Sequence, residues 1–161
     1  NELKEFIKNY NNENHAFAYD QIVSYGELFS TTIISHYFHH NGKNNNWLDA
    51  RKLIVTSDQF QEARVHWGES QKNIHKSISN RGGIYITQGF IGANKQGQTT
   101  TLGREGSDYS AAILAWSVNA KEVVIWKDVL GLLNADPKLF KNTEQLYQIS
   151  FKEAIELSLR D

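Results

Sequence analysis

The sequence predicts an α/β fold, a three-layer αβα sandwich around a mainly parallel sheet. Three observations carry this expectation: short β-branched runs recur along the chain, apolar residues at helical spacing lie between them, and the two patterns alternate. A chain of 161 residues fits one domain and is long enough to bury a core.

The elements follow in order. Residues 18–41 place Ile22, Leu28, Ile33, Ile34, Tyr37 and Phe38 at helical spacing, and Asn41-Gly42 closes the run like a C-cap, so a long helix is expected from about Asp20. "LIVT" (Leu53 to Thr56) and "GIYITQG" (Gly83 to Gly89) are bounded by polar or glycine residues and are expected as buried strands. Between them "ESQKNIHKSISN" is a polar-faced helix with Ile74 and Ile78 turned inward. Asn94-Lys95-Gln96-Gly97 reads as a hairpin tip, and Ser107 or Asp108 is placed to cap a helix running to about Asn119. "EVVIW" (Glu122 to Trp126) is expected as a strand ending in Lys127-Asp128, and "SFKEAIELSL" begins a last helix. "NNEN" and "NGKNNN" read as solvated loops. No repeat, low-complexity segment or linker marks a domain boundary.

Composition narrows the function classes. With 17 basic and 18 acidic residues the formal net charge is -1, so the chain has no general attraction for nucleic acid or an anionic membrane, and any anion site must be local. Cysteine is absent, which excludes disulfide and thiolate chemistry. No apolar run approaches the roughly 18 residues that span a bilayer, and "NELKEFIKNY" is no signal peptide, so a soluble, cytoplasmic protein is expected. The sequence opens at Asn1 and has no Met, as a fragment would, or a chain written without modified methionines.

In open α/β sheets ligands sit beyond the carboxyl ends of the strands. Gly89-Phe90, the "GREGSD" loop (Gly103 to Asp108) and Lys127-Asp128 are all expected at such ends and in one crevice. Gly103 and Gly106 let backbone approach a ligand, the N–H groups of Ser107 to Ser110 favour an anion, and Arg104 can fork two hydrogen bonds to a small carboxylate. The other reading pairs Arg104 with Glu105 or Asp108 as a surface salt bridge. Neither a Walker phosphate loop nor a dinucleotide-binding glycine pattern is present. His36 and His40, with His39 beside them, have metal-ligand spacing on a helix, but no third ligand is placed with them and no metal site is assigned. Trp47, Trp67, Trp116 and Trp126 are scattered and read as core or interface residues rather than a base-stacking platform.

Four blocks, "SYGELFST" (Ser24 to Thr31), "ITQGFIG" (Ile86 to Gly92), "TTTLGREGSDYSAA" (Thr99 to Ala112) and "IWKDVLGLLNADPK" (Ile125 to Lys138), stand in the order and spacing of aspartate kinases, and the likeness extends to "ISFKEAIEL" (Ile149 to Leu157). The chain thus resembles the aspartate kinases of the amino acid kinase family over nearly its whole length. The resemblance implies the amino acid kinase fold, incomplete at both ends, and phosphorylation of the side-chain carboxylate of L-aspartate by MgATP to give 4-phospho-L-aspartate, the first step toward lysine, threonine and methionine. It implies that Glu27 receives the substrate ammonium, that the Phe90 backbone borders the aspartate, that Arg104 clamps the α-carboxylate, that Ser107 adds a hydroxyl, and that Asp108 orients the family's catalytic lysine. It further implies that Lys127, Asp128, Leu133 and Lys138 contact the nucleotide, with Lys127, Leu133 and Lys138 standing where relatives often have threonine, tyrosine and arginine. On residue type alone Glu27 is equally an exposed helix charge, Asp108 an N-cap, and Lys127-Asp128 a surface pair.

The family's "KFGGTS" block with its lysine, its "FGAK" segment and its regulatory ACT domains are not found in residues 1–161. Residues 1–161 are therefore expected to form part of a catalytic domain that is inactive alone, from a parent enzyme that is a homo-oligomer through those regulatory domains. The parent is either monofunctional or fused to homoserine dehydrogenase. The other readings are a kinase of this fold acting on another acidic amino acid or on a nucleotide, and a non-catalytic fragment.

Overall fold

The computed structural model describes residues 2–10, 14–78, 82–128 and 131–158, in two compact units, Asn1–Val123 and Val124–Asp161. In the first unit a short helix α1 (Glu2–Asn9) precedes α2 (His15–His40), which at 26 residues is about 39 Å long. Asn14 caps α2 by accepting from the Phe17 N–H at 3.0 Å, and the chain leaves it through Asn41 and Gly42, the latter at φ +70°. The expected C-cap is thus in place, while the start lies a turn earlier than expected. Of the "NNEN" loop, 11–13 lie outside the described residues.

Three parallel or antiparallel ladders follow. β1 (Asn45–Leu48) pairs in parallel with β3 (Ile84–Thr87), with Asn45 opposite Ile84. β2 (Val55–Thr56) pairs in parallel with β4 (Ile91–Asn94), and β4 pairs with β5 (Thr99–Thr101) as the expected hairpin. Two of the three ladders are parallel; the helix α3 (Ala50–Leu53) joins β1 to β2, α4 (Trp67–Ser77) joins β2 to β3, and α5 (Gly106–Val118) follows β5. One core joins Leu53, Ile54, Leu102, Ile74 of α4 and Ile113 of α5; the other joins Leu28 of α2 to Ala50 and Ile91. Helices therefore cover the strands from both sides, the layered arrangement the sequence predicts.

Several expectations are corrected. Leu53 ends a helix and Ile54 is its C-cap, so only half of "LIVT" is strand. β3 is half-buried to exposed rather than buried. "NGKNNN" is not wholly a solvated loop: Asn45 begins β1 and is buried because its side-chain carbonyl accepts from the Ser35 hydroxyl at 2.7 Å while its amide donates to the Ser35 carbonyl at 3.1 Å. Neither Ser107 nor Asp108 caps α5; the N-cap position falls to Glu105, in the left-handed region at φ +55° and without a capping side-chain hydrogen bond, because the helix starts at Gly106, pressed against Phe90. The four tryptophans are not core residues, since none is less than 36% exposed; Trp67 and Trp116 instead meet edge to face at the surface.

The second unit holds the helix α6 (Phe151–Ser158), and an isolated bridge from Leu133 to Gln145 closes the segment before it. "EVVIW" is not a strand. Residues 122–127 carry no regular structure and are exposed, Trp126 at 91%. A strand exists by pairing, and among the described residues nothing pairs with this one. No described helix is long and apolar enough to cross a membrane.

Candidate functional site

The site is built around the bend between β3 and β4. Gln88, fully buried, fixes the end of β3 by accepting from the Ala50 N–H at 2.8 Å and donating to the Thr31 hydroxyl of α2 at 2.7 Å. The next two residues turn the chain. Phe90 sits at φ +68°, a conformation that costs a bulky residue about 1–3 kcal/mol and persists only where its surroundings hold it. They do: the Phe90 N–H donates to the Ser110 hydroxyl at 2.9 Å and to the Gly106 carbonyl at 3.3 Å, and the Phe90 carbonyl accepts from Leu102 at 2.8 Å.

The backbones approach closely on both sides of this contact, tightly at Gly89 and closer than any side chain allows without a shift at Gly106. A Cβ on Gly89 would lie 3.1 Å from Ser107 Cα, and one on Gly106 would lie 2.7 Å from Phe90 Cδ2. The first turn of α5, with Ser107 and half-buried Asp108, therefore stands against the Gly89-Phe90 bend, its leading N–H groups facing outward from the helix start. Just before it, Gly103 at φ +79° leads into Arg104, which lies exposed on a cleft of about 300 Å³ lined also by Tyr19, Gln61, Glu62, Phe90 and Thr101. Half-buried Glu27 stands on α2 beside Leu28, which packs in one core cluster with Phe90, and is not itself among the residues that line the Arg104 cleft.

Among the described residues Arg51 pairs with Asp49 at 2.6 Å and Lys95 with Glu69 at 2.7 Å; neither pair includes Arg104 or Glu27. No ion pair from Arg104 to Glu105 or Asp108 is seen among the described residues, and Arg104 lines the cleft. Asp49 caps α3 and its carboxyl titrates below the ordinary range: burial pushes it up, and the hydrogen bonds and charge of Arg51 more than offset that.

In the second unit Lys127 and Asp128 follow exposed irregular chain rather than a strand. Half-buried Leu133 lies in the bridge to Gln145, and exposed Lys138 stands in a turn where Asp136 Oδ1 accepts from its N–H at 2.8 Å. Val129 and Leu130 of the expected nucleotide segment lie outside the described residues. His36, His39 and His40 are exposed on α2, and no group of three His, Asp or Glu among the described residues is arranged to hold a metal.

Sequence reasoning missed Asp20, Gln61, Gln88 and Ser110, which hold the cleft together. Their partners are 20 to 81 residues away in the chain, so no local spacing announces them.

The model of the amino acid kinase family matches residues 2–160. Lysine-sensitive aspartokinase 3 of Escherichia coli is 38% identical over 141 residues, 86% of this chain and 31% of that protein. The aspartokinase of Chlamydia muridarum is 35% identical over 154 residues, 94% of this chain and 35% of that protein. Among solved structures, E. coli aspartokinase III in complex with aspartate and ADP superposes with a TM-score of 0.89 at 34% identity, covering 98% of this chain and 36% of that one. Its complex with lysine and aspartate superposes with a TM-score of 0.84, covering 96% and 35%. The chain spans about a third of the length of the relatives it matches. The family match over almost the entire length and the shared architecture agree: the chain belongs to the amino acid kinase family.

Proposed function

We propose that residues 1–161 are part of the catalytic domain of an aspartate kinase, which transfers the γ-phosphoryl group of MgATP to the side-chain carboxylate of L-aspartate. The observation that carries this reading is the cleft at Arg104: a guanidinium unpaired with its acidic neighbours, beside a helix start and a pinned Gly89-Phe90 bend, in a fold shared with an aspartokinase solved with aspartate and ADP.

The chemistry asks for position and charge more than for proton transfer. A carboxylate oxygen of the substrate forms the new bond to phosphorus while the bond from phosphorus to the departing ADP oxygen breaks, and the carboxylate is ionised at neutral pH without a general base. Arg104 forks to the α-carboxylate and Ser107 adds its hydroxyl. Glu27 takes the ammonium. Phe90 serves as a wall, because its N–H is committed to Ser110 and Gly106 and its carbonyl keeps only a second lone pair. Asp108 orients the lysine supplied by the rest of the domain. Lys127, Asp128, Leu133 and Lys138 of the second unit hold the nucleotide, whose magnesium ion arrives with the phosphates as part of the substrate. Such water-soluble substrates suit a cytoplasmic enzyme.

The test is ADP formation by the intact enzyme with L-aspartate, L-glutamate or a nucleoside monophosphate as acceptor, with the acyl phosphate trapped by hydroxylamine. Aspartate-dependent ADP release with an equal yield of hydroxamate is expected. Preference for another acceptor, or ADP without hydroxamate, would contradict the reading.

A further inference from the structure

Asp20 is fully buried in α2, and nothing in the reaction above uses it. A carboxylate is tolerated inside a protein only where donors meet it, and three do. Oδ2 accepts from the Gln61 N–H and the Thr101 N–H, each at 2.9 Å, and Oδ1 accepts from the Thr101 hydroxyl at 2.8 Å. Both partners line the Arg104 cleft. Gln61 is itself held in the left-handed region at φ +70°, and its carbonyl oxygen lies 3.2 Å from where a Cβ on Gly103 would be, so its placement fixes how closely the loop carrying Arg104 can pack. Thr101 ends β5 three residues before Arg104. Seven residues after Asp20, about two turns along the same face of α2, stands Glu27.

We infer that Asp20 is a positioning residue for L-aspartate: by fastening α2 to Gln61 and Thr101 it sets the spacing between the ammonium acceptor Glu27 and the carboxylate clamp Arg104. The inference rests on the function proposed above. It depends on hydrogen bonds rather than on charge, which gives it a specific signature. In Asp20→Asn the amide oxygen can still receive both N–H groups, and the amide nitrogen can donate to the Thr101 hydroxyl, which turns to accept.

The test is steady-state kinetics of the intact enzyme with each substrate varied in turn. Asp20→Ala is expected to raise KM for L-aspartate roughly 10- to 100-fold, the usual consequence of misplacing a binding group by about an ångström, with KM for MgATP within about twofold of wild type. Asp20→Asn is expected to stay within about threefold on both. Should the alanine variant fail to fold, Thr101→Val, which removes only the hydroxyl bond, is expected to raise KM for aspartate severalfold and leave MgATP unchanged. Equal changes in the two KM values, an unchanged aspartate KM in Thr101→Val, or Asn as damaging as Ala would each overturn the inference while leaving the proposed function standing. A wild-type enzyme without aspartate-dependent ADP formation would overturn both.

Discussion

Residues 84–110 and residues 122–146 carry similar signals in the sequence, a β-branched run followed by a turn marked with glycine or charge, yet only the first folds as that signal suggests. "IYIT" lies parallel to "NNWL", its end is locked by Gln88, and the bend behind it is pinned by Ser110, Gly106 and Leu102. "EVVIW" has no ladder among the described residues and stands exposed. Strand propensity is a statement about fitting a pleated, half-covered surface, and without a neighbour to pair with it yields extended chain and nothing more. Under the proposed function, the two substrates would meet different kinds of site, a braced cleft for the amino acid and an open segment for the nucleotide.

Variants at the braced cleft should have the largest effects. Arg104→Ala is expected to lower kcat/KM for L-aspartate by about 2–4 kcal/mol of transition-state stabilisation, the cost of removing one partner of a desolvated charge pair. Next come the glycines. Gly106→Ala drives a methyl into the Phe90 ring and should cost about 1–3 kcal/mol in urea unfolding together with a raised aspartate KM. Gly92→Ala, whose methyl would lie 2.7 Å from the Ile54 carbonyl oxygen, should cost a similar about 1–3 kcal/mol but leave the ratio of the two KM values alone. If both variants move the ratio, the bend is not a distinct element of the site.

The open segment should respond more weakly. Lys138→Ala or Lys127→Ala is expected to raise KM for MgATP by about three- to tenfold and aspartate KM by less, since an exposed lysine offers a point charge rather than a fixed fork. The reverse ordering would mean that the substrates have been assigned to the wrong units. The smallest effect concerns the Asp49–Arg51 pair. Because the folded pKa of Asp49 lies below its ordinary value of 3.8, the pair stabilises the fold fully above that value and loses its contribution as pH falls through the lower, folded value. Asp49→Asn keeps the cap but not the charge, so it should be up to about 1 kcal/mol less stable at pH 7, with the gap closing on acidification below about pH 4.

What the sequence makes legible here is local. The period of α2, its Asn41-Gly42 end, the hairpin at Asn94 to Gly97 and the glycines around Arg104 follow from constraints among neighbours in the chain. The period does not say which face is buried: Ile22, Phe29, Ile33 and Tyr37 stay exposed, while Asp20, Ser24, Thr31 and Ser35 turn inward, where hydroxyls such as those of Ser24 and Thr31 bond to helix carbonyls one turn back. Nor does it announce the left-handed Phe90 or Gln61, whose strain is held by distant partners, or the fate of "EVVIW", which depends on a strand to pair with. Resemblance alone points to Glu27, Phe90, Arg104 and Ser107, and the structure adds the bracing of the Phe90 bend that spacing does not contain.

The most direct test of the central idea, that Arg104 holds the substrate's α-carboxylate, is a thermodynamic cycle. It crosses Arg104→Ala with replacement of L-aspartate by its α-amide, L-isoasparagine, and reads kcat/KM in the intact enzyme for all four combinations. If the guanidinium grips that carboxylate, the amide should be a far poorer substrate than aspartate for wild type but nearly as good as aspartate for the variant, a coupling of about 1.5 kcal/mol or more. Two losses that simply add, to within about 0.5 kcal/mol, would contradict it.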